Sequence, residues 1–523
     1  MTQVQLQELQ KQLWNIANTL RGKMGADEFR DYILGLIFYK YLSEKIQNNA
    51  NEILQPDQIR FADLVEDTEI NHAYLSAVRE ECLASMGYFL APQELFHSMA
   101  TLARDKKYIL DDVIKTLKAI EQSTLRTDAA DDFSHLFEDM DLSSTKLGNT
   151  PDDRNELISR VMVHLDDINF DLSNTESDIL GDAYEFLIGE FASGAGKKAG
   201  EFYTPQMVST LLAKLVTLGK DRLRSVYDPT CGSGSLLLRV KREVGDVDTI
   251  YGQEMNRTTY NLARMNMILH DVHYSKFEIK QEDTLKRPQH MELKFDAIVA
   301  NPPFSAKWSA NESYLSDPRF RDFGKLAPSS KADMAFLQHM LYQLDENGTL
   351  AIVLPHGVLF RGSSEGHIRK HLIEKLNVID TIIGLPANIF YGTTIPTCVL
   401  VLKKNREHSD NILFIDASNE FEKQKNQNKL LPEHLDNIIG AFENRQDIEK
   451  YAYVATLQEV TDNDYNLNIP RYVDTFEVEA EIDLDSIAKQ LQALEIESQK
   501  TDVVISDFCK ELGIDSPFAE VKW

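Results

Sequence analysis

From about residue 201 onward, short apolar runs alternate with segments of helix length, and this alternation is the strongest constraint on the fold. The runs read SVYDP, TIYGQE, FEIKQED, FDAIVANPPF and GTLAIVL, with spacers such as RTTYNLARMNMILH and MAFLQHMLYQL. Such a pattern predicts a doubly wound, mainly parallel sheet. NVIDTIIGLP and TTIPTCVLVLKK then follow each other too closely for a helix between them. We expect these two runs to pair antiparallel and to close one edge of the sheet.

Helical patterns flank this region on both sides. Residues 1–150 show helical spacing with little strand signal, 143–153 is rich in turn residues, and a helical lead-in runs from 151 to 200. Beyond 470 the chain becomes acidic, and apolar residues recur with alternating spacings of three and four at Leu484, Ile487, Leu491, Leu494, Ile505, Phe508 and Leu512. This spacing indicates a coiled-coil-like helix with a weak middle at Ser498 and Thr501. We therefore expect three parts: 1–150, 151–470 and 471–523.

Composition narrows the class of protein. The chain has 523 residues, of which 43% are hydrophobic and 26% are charged, as in an ordinary globular protein. It has neither a long apolar stretch nor a start like that of a signal peptide, so we expect no membrane span. Its four cysteines are far apart in sequence, so we expect free thiols in the cytoplasm. Fifty-five basic and 83 acidic residues give a net charge of −28. This charge either serves solubility or means that a basic partner chain holds any nucleic acid.

A glycine-containing turn follows the first predicted strand, in YDPTCGSGSLLLRV (227–240). Asp228 ends the strand, while Gly232 and Gly234 allow a tight turn that a ligand can approach closely. Leu236 onward then begins a helix whose N-terminus points at the bound molecule. Together with Ser233 and Ser235, these residues form a candidate ligand site. The alternative is an ordinary turn between a strand and a helix.

Acidic residues end the next two strands as well. Glu254 closes TIYGQE, where it is placed to accept hydrogen bonds from ribose hydroxyls, and Asp283 follows the third strand, where it could meet an adenine ring. With Asp228, they line the carboxyl edge of one sheet, which is where nucleotide-like ligands bind. Leu238 stands where the third glycine of a dinucleotide fingerprint would be. This favours S-adenosylmethionine over NAD(H), and its positive sulfonium suits an acid-rich pocket.

The run FDAIVANPPF ends the fourth strand in a rigid and polar way. Pro302 and Pro303 fix the backbone and remove two amide donors, and Pro302 moves Asn301 out of the helical region. The Asn301 side-chain oxygen and the Pro302 carbonyl can then accept both hydrogens of an aromatic amine, while Phe304 stacks on its ring. We therefore predict Asn301, Pro302, Pro303 and Phe304 as catalytic residues. A plain stop after a strand is the alternative.

DPTCGSGSLL, GQE, QEDTL and NPPF, in this order, resemble the motifs of amino-group DNA methyltransferases, and NPPF favours adenine over cytosine. AGEFYTPQMVSTLLAKL (199–215) resembles the segment that closes over the methionine part of the cofactor in such adenine enzymes. We expect Thr204 to be the N-cap of its helix and Pro205 to lie in the first turn. The resemblance implies a cofactor-binding role for Glu201, Phe202, Tyr203, Thr204, Pro205 and Gln206.

The N-terminal helical region, ILGDAYEFLIGEFASGAGKKAGEFYTP and YNLNIPRYVD extend the resemblance. Over essentially its whole length, the chain resembles the modification subunit of type I restriction–modification systems. The implied α/β fold has a helical N-terminal domain, a Rossmann-like S-adenosylmethionine-dependent methyltransferase domain with a mixed seven-stranded sheet, and a helical C-terminal tail for partner contact. The implied activity is methyl transfer from S-adenosylmethionine to the N6 amine of a flipped-out adenine, without a metal.

The same resemblance implies several partners. They are double-stranded DNA, a separate specificity subunit that serves two modification subunits, and a motor–nuclease restriction subunit, with no membrane. GAGKK lacks the spacing of an ATP-binding loop, so we expect no ATP site here. Two alternatives stay open: an NPPF-type enzyme acting on guanine amines in RNA or glutamine amides in proteins, and a non-enzymatic scaffold with a decayed cofactor fold.

Overall fold

The computed structural model describes residues 3–20, 26–65, 67–170, 179–194, 203–390, 393–425, 427–475 and 483–518. Glu201 and Phe202, which we expected at the cofactor, lie outside these residues. The described residues form these α-helices: α1 (Gln3–Leu20), α2 (Ala26–Leu54), α3 (Glu69–Met86), α4 (Phe96–Arg104), α5 (Leu110–Ser123), α6 (Ala130–Phe133), α7 (Pro151–Asp166), α8 (Ile179–Gly194), α9 (Gln206–Thr217), α10 (Ser235–Val244), α11 (Arg257–Leu269), α12 (Asp333–Gln343), α13 (Ser363–Glu374), α14 (Pro432–Asn444), α15 (Leu457–Asp462) and α16 (Leu484–Leu512). They also form these strands: β1 (Leu223–Asp228), β2 (Val247–Glu254), β3 (Phe277–Gln281), β4 (Phe295–Ala300), β5 (Leu344–Pro355), β6 (Ile379–Gly384), β7 (Thr397–Lys403), β8 (Asn411–Asp416), β9 (Glu422–Lys423), β10 (Asn428–Lys429) and β11 (Ala452–Thr456).

The main sheet of the described residues is mixed and has nine strands in the order β11-β8-β6-β7-β5-β4-β1-β2-β3. Strands β1 to β5 run parallel, whereas β7 is antiparallel to both β5 and β6. This confirms the predicted α/β class and the antiparallel pair. The predicted count of seven strands is wrong, and the pair does not close the edge. β8 satisfies the backbone groups that β6 would otherwise leave open, and β11 does the same for β8.

The strand order places the site. β1 and β4 are neighbours, although β2 and β3 lie between them in sequence. Successive strands are therefore added to one side of β1 up to β3, and from β4 onward to the other side. In parallel sheets, ligands bind in the crevice beyond the carboxyl ends of the strands at such a switch point. Asp228 at the end of β1 and Asn301 just after β4 both lie at this position.

Alternate residues of the central strands face two apolar cores, as the period of two requires. In β4, Ala297 and Val299 belong to the core under α9, α10, α11 and α14, while Ile298 and Ala300 belong to the core under α12 and α13. Helices therefore cover both faces of the sheet. Burial on both faces explains why the strands read as almost continuous apolar runs in the sequence.

Helices α1 to α8 share a separate core, which also includes Leu262, Met265 and Leu269 of α11. Ala263 and Met267 of the same helix belong to the sheet core. α11 therefore joins the helical region to the sheet through its two sides. α7 and α8 pack with the other N-terminal helices, although their residues were assigned to the sheet domain as a lead-in. The domain boundary at residue 150 stays a prediction.

Residues 475–523 separate as a compact unit of their own. Within it, α16 is one helix whose N-cap Asp483 accepts hydrogen bonds from the amides of Asp485 and Ser486. Thr501, expected to weaken the seam, donates its hydroxyl to the Glu497 carbonyl, and the helix continues through it. The apolar seam is solvent-exposed: Leu484 is 74% exposed, Leu491 and Leu494 are each 61% exposed, and Leu512 is 72% exposed.

Two expectations from composition concern membranes and cysteines. Among the helices of the described residues, none combines the length and apolarity that crossing a membrane requires. The four cysteines are free thiols, as predicted.

Candidate active site

The turn between β1 and α10 has the predicted tight geometry. Gly232 and Gly234 both adopt left-handed φ angles, of 55° and 79°, which residues with a side chain rarely adopt. The Gly234 amide donates to the Cys231 carbonyl at 2.8 Å, and α10 begins at the next residue. The unpaired amides of the first turn of α10 therefore lie beside the end of β1.

Asp228 is nearly fully buried at the base of this turn. One of its carboxylate oxygens accepts a hydrogen bond from the Thr230 amide at 2.8 Å. Burial raises the pKa of Asp228 to about 7, the Thr230 amide opposes this rise, and repulsion from Glu254 adds to it. The carboxyl group therefore shapes the turn and places ionisable charge directly behind it.

Glu254 connects the turn to the end of β2. Its Oε2 accepts from the Gly232 amide at 3.1 Å, and its Oε1 accepts from the Asn256 amide at 2.7 Å. Burial raises the pKa of Glu254, while these amides work in the opposite direction. Since each carboxylate oxygen can accept two hydrogen bonds, acceptor positions remain for a ligand hydroxyl.

Asp283 lies in the segment after β3 and caps its own turn. Its Oδ1 accepts from the amides of Leu285 and Lys286, at 3.1 and 3.2 Å, and its Oδ2 lies 3.2 Å from Lys286 Nζ. The structure brings Gly232 and Glu254 into direct contact, but shows no comparable link from Asp283 to either. The predicted contact of Asp283 with an adenine ring stays a prediction.

The side chain of Gln253 binds the segment after β3 that contains Asp283, a role that we did not predict from the sequence. The side chain is fully buried, and its Nε2 donates to the carbonyls of Glu282 and Arg287, each at 3.1 Å. Its Oε1 accepts from the Gln289 amide at 3.0 Å. A polar residue between Gly252 and Glu254 on a buried strand was the available signal.

Asn301 and Thr204 meet across the switch point. The side-chain NH2 of Asn301 donates to Thr204 Oγ1 at 3.1 Å. The other end of the amide, Oδ1, is buried and accepts no hydrogen bond from the residues that the structure describes. A buried acceptor without a donor is costly, so this oxygen is poised for a donor that a substrate brings.

The role expected for Thr204 as a helix cap is wrong. Pro205 is the N-cap of α9, with φ −52° and ψ 135°, and the helix begins at Gln206. The helix therefore starts after the proline rather than through it, and the Thr204 hydroxyl contacts Asn301 instead. Tyr203 packs against α8, where its ring lies within about 3.2 Å of the position that a Cβ on Gly189 would take. Tyr203, Pro205 and Gln206 line a cavity with α8 and the start of α14.

The end of the NPPF motif is held from two sides. The half-buried Phe304 ring packs edge-to-face on Phe390, with ring centroids 5.4 Å apart. The next residue, Ser305, has a left-handed φ of 53°, and its amide donates to Asp333 Oδ1 at 2.7 Å. Neither Phe390 nor Asp333 was expected at the site, because only the folded chain brings them to the motif. Pro302 is buried and Pro303 half-buried, directly after β4.

Two family models match the chain. The N-6 DNA Methylase model covers residues 175–481, and the HsdM N-terminal domain model covers residues 9–165. The fold and the motif order thus define a Rossmann-like methyltransferase with an NPPF motif at the end of its fourth strand.

Similarity to known proteins identifies a group within this class of methyltransferases. The type I restriction enzyme MpnII methylase subunit of Mycoplasma pneumoniae is 37% identical, over 97% of this chain and 96% of its own length. The MjaVII methylase subunit of Methanocaldococcus jannaschii is 34% identical, over 83% of this chain and 77% of its own. The crystal structure of a type I restriction–modification methyltransferase subunit from Streptococcus thermophilus is 46% identical, with a TM-score of 0.83, over 90% of this chain and 100% of that one.

The chain belongs to the N-6 DNA methylase family, among the methylase subunits of type I restriction enzymes. Nothing in these comparisons favours the alternative of an enzyme acting on RNA guanine or protein glutamine.

Proposed function

We propose that this chain transfers a methyl group from S-adenosylmethionine to the N6 amine of an adenine flipped out of duplex DNA. The observation that carries the proposal is the buried, unpaired Oδ1 of Asn301 at the switch point. An exocyclic amine supplies the donor that this oxygen lacks. The family membership agrees with this assignment, and the cytoplasm is the location that a DNA substrate favours.

The residues around the β1–α10 turn fit S-adenosylmethionine as cofactor. Gly232 and Gly234 keep side chains out of the turn, and Glu254 keeps acceptor capacity for ribose hydroxyls. When bound, the cofactor supplies a methyl group on a positively charged sulfonium. The carboxyl groups of Asp228 and Glu254 favour a cation nearby.

The NPPF residues prepare the adenine amine for reaction. The lone pair of this nitrogen is delocalised into the ring, so the free amine is a poor nucleophile. Asn301 Oδ1 and the Pro302 carbonyl accept its two hydrogens and so favour a tetrahedral nitrogen whose lone pair is available. Phe304, supported by Phe390, holds the ring plane. Forming the bond from nitrogen to the methyl group makes the nitrogen cationic and strongly acidic. Its surplus proton can then pass to water, so no strong general base is required.

Thr204 orients the catalytic amide, and its removal tests the proposal. Thr204→Val keeps the volume but removes the acceptor for Asn301 Nδ2, so the amide loses its fixed direction. A hydrogen bond of this kind contributes about 1 kcal/mol, so we expect kcat to fall by about fivefold to tenfold. Thr204→Ser restores the hydroxyl and should restore kcat.

Thr210→Val is the matched control, since the Thr210 hydroxyl donates only to the Gln206 carbonyl within α9. Single-turnover methylation measures the rate, and calorimetry measures cofactor affinity. A Thr204→Val enzyme with unchanged kcat would contradict the orienting role.

Sequence-specific methylation requires partner chains in this proposal. A chain of net charge −28 repels a phosphate backbone, so most of the grip on DNA comes from elsewhere. We assign that grip to a separate specificity subunit that serves two copies of this chain, with a motor–nuclease restriction subunit in the complete assembly. The exposed seam of α16 is suited to pack on a helix of such a partner.

Charged residues in the seam should impair assembly. Replacing Leu491 and Leu494 by aspartate puts two charges where apolar side chains would be buried, and we expect the affinity for the specificity subunit to fall by about a hundredfold or more. Cofactor affinity of the isolated chain should not change. The control is Gln492→Asp with Ala493→Asp, which adds the same charge to exposed positions outside the seam. Equal assembly of both variants in size-exclusion experiments would exclude the seam as the docking surface.

A further inference from the structure

The long connection between β4 and α12, residues 301–332, is held together by internal hydrogen bonds and aromatic contacts. Its two arms are joined by backbone hydrogen bonds from Ala332 to the Ala306 carbonyl, at 2.8 Å, and from Trp308 to the Ser329 carbonyl, at 2.9 Å. The Trp308 indole donates to the Pro328 carbonyl and packs against Tyr314 and Phe320. Connections of this length are uncommon in compact domains and usually functional.

Arg319 fixes the far part of this connection to the carboxyl edge of the sheet. Its guanidinium is fully buried and donates to the Thr284 carbonyl at 3.0 Å and the Leu285 carbonyl at 2.8 Å. Asp317 balances its charge at 2.7 Å. The connection therefore spans the edge from the end of β4 to the segment after β3.

The joined arms bring two lysines together beside the NPPF motif. Lys307 lies between Ala306 and Trp308 and is exposed, while half-buried Lys331 precedes Ala332 on the facing arm. Among the described residues, Lys307 forms no ion pair, and Lys331 forms none within 4 Å, although it interacts electrostatically with the Glu365 carboxylate. Arg361 is also near, at 3.6 Å from Asp333 and 3.4 Å from Glu365. Three basic side chains therefore face two carboxylates, the rim keeps one net positive charge, and Lys307 is its exposed member.

We propose that Lys307 and Lys331 bind backbone phosphates of the target strand beside the flipped adenine. Rotating a base out of the stack costs a few kcal/mol, and contacts to the flanking backbone must offset this cost. Phosphate contacts set the position of a strand without reading its sequence. The inference rests on the proposed function and adds the surface by which this acidic chain itself holds DNA at the pocket.

The test uses the complex with its specificity subunit and compares Lys307→Gln/Lys331→Gln with wild type. Each lost phosphate contact should lower the slope of log KM for DNA against log salt by about 0.9, so we expect a drop of about 1.8. Between 50 and 200 mM salt, KM should then rise about twelvefold less than for wild type. In direct binding measurements, the loss of affinity should be equal on duplexes with and without the target site. On duplexes with the site, kcat at saturating DNA should not change.

The control is Lys276→Gln, an exposed lysine at the amino end of β3, on the opposite edge of the sheet. It should leave the salt slope unchanged. An unchanged slope in the double variant overturns the proposal. Weaker assembly with the specificity subunit also overturns it, because the lysines would then contact that protein. Absence of DNA methylation by the wild-type complex would instead overturn the proposed function.

Discussion

Asn301→Ala is expected to lower the rate of methyl transfer by about 10²- to 10³-fold, the usual effect of removing one preorganised group at a reacting centre. The reason is geometric: Asn301 Oδ1 is buried and unpaired, so it is free to accept from the substrate amine. Cofactor affinity should change little, because the amide contacts Thr204 rather than the turn that carries Gly232. Single-turnover methylation gives the rate, and calorimetry with S-adenosylmethionine shows that the variant is folded.

Asn301→Asp should fail as well. A carboxylate has no NH2 to donate to Thr204, and its negative charge would be buried beside Pro302. Near-normal turnover by either variant would show that Asn301 is not the acceptor.

Gly232→Asp should weaken cofactor binding strongly. Gly232 has a φ of 55°, where a side chain costs roughly 1–2 kcal/mol. Its amide donates to Glu254, so a new carboxylate would face an existing one at the proposed cofactor site. The backbone strain lowers stability equally with and without cofactor, so the loss of affinity comes from the new side chain at the turn. We expect the Kd for S-adenosylmethionine to rise by about a hundredfold.

Gly245→Asp supplies the control for backbone strain. Gly245 follows α10 with a left-handed φ of 81°, and no atom lies within 4 Å of a Cβ placed there. Both variants therefore place a side chain at a positive φ, but only Gly232→Asp lies at the turn. Equal Kd values in calorimetry would contradict the placement of the cofactor.

The sequence predicted those parts of the fold that depend on local pattern. Alternating apolar runs gave the parallel strands, and Gly232 and Gly234 gave the tight turn before α10. Strands β8 and β11 were not predicted, although NILFID is as long as the run that forms β4. Which strands they pair with, β6 for β8 and β8 for β11, depends on long-range contacts that no local pattern shows.

In the candidate site, too, local patterns were predicted from the sequence and long-range contacts were not. Asn301 was found because two prolines and a phenylalanine follow it directly, and that pattern is visible in the sequence. Its hydrogen bond to Thr204 joins residues 97 positions apart, and the Ser305–Asp333 contact spans 28 positions. Such contacts depend on how α9 and α12 pack against the sheet, so no local pattern could reveal them.

Nucleoside analysis of methylated DNA tests the central claim most directly. Duplex DNA is incubated with labelled S-adenosylmethionine and this chain, purified together with a specificity subunit, and is then digested to nucleosides. We expect the label only in N6-methyldeoxyadenosine, and formation about 10²- to 10³-fold slower with Asn301→Ala, because in the proposed mechanism Oδ1 of Asn301 activates the adenine amine. Label in N4-methyldeoxycytidine, or full labelling of adenine by the Asn301→Ala enzyme, would contradict the account.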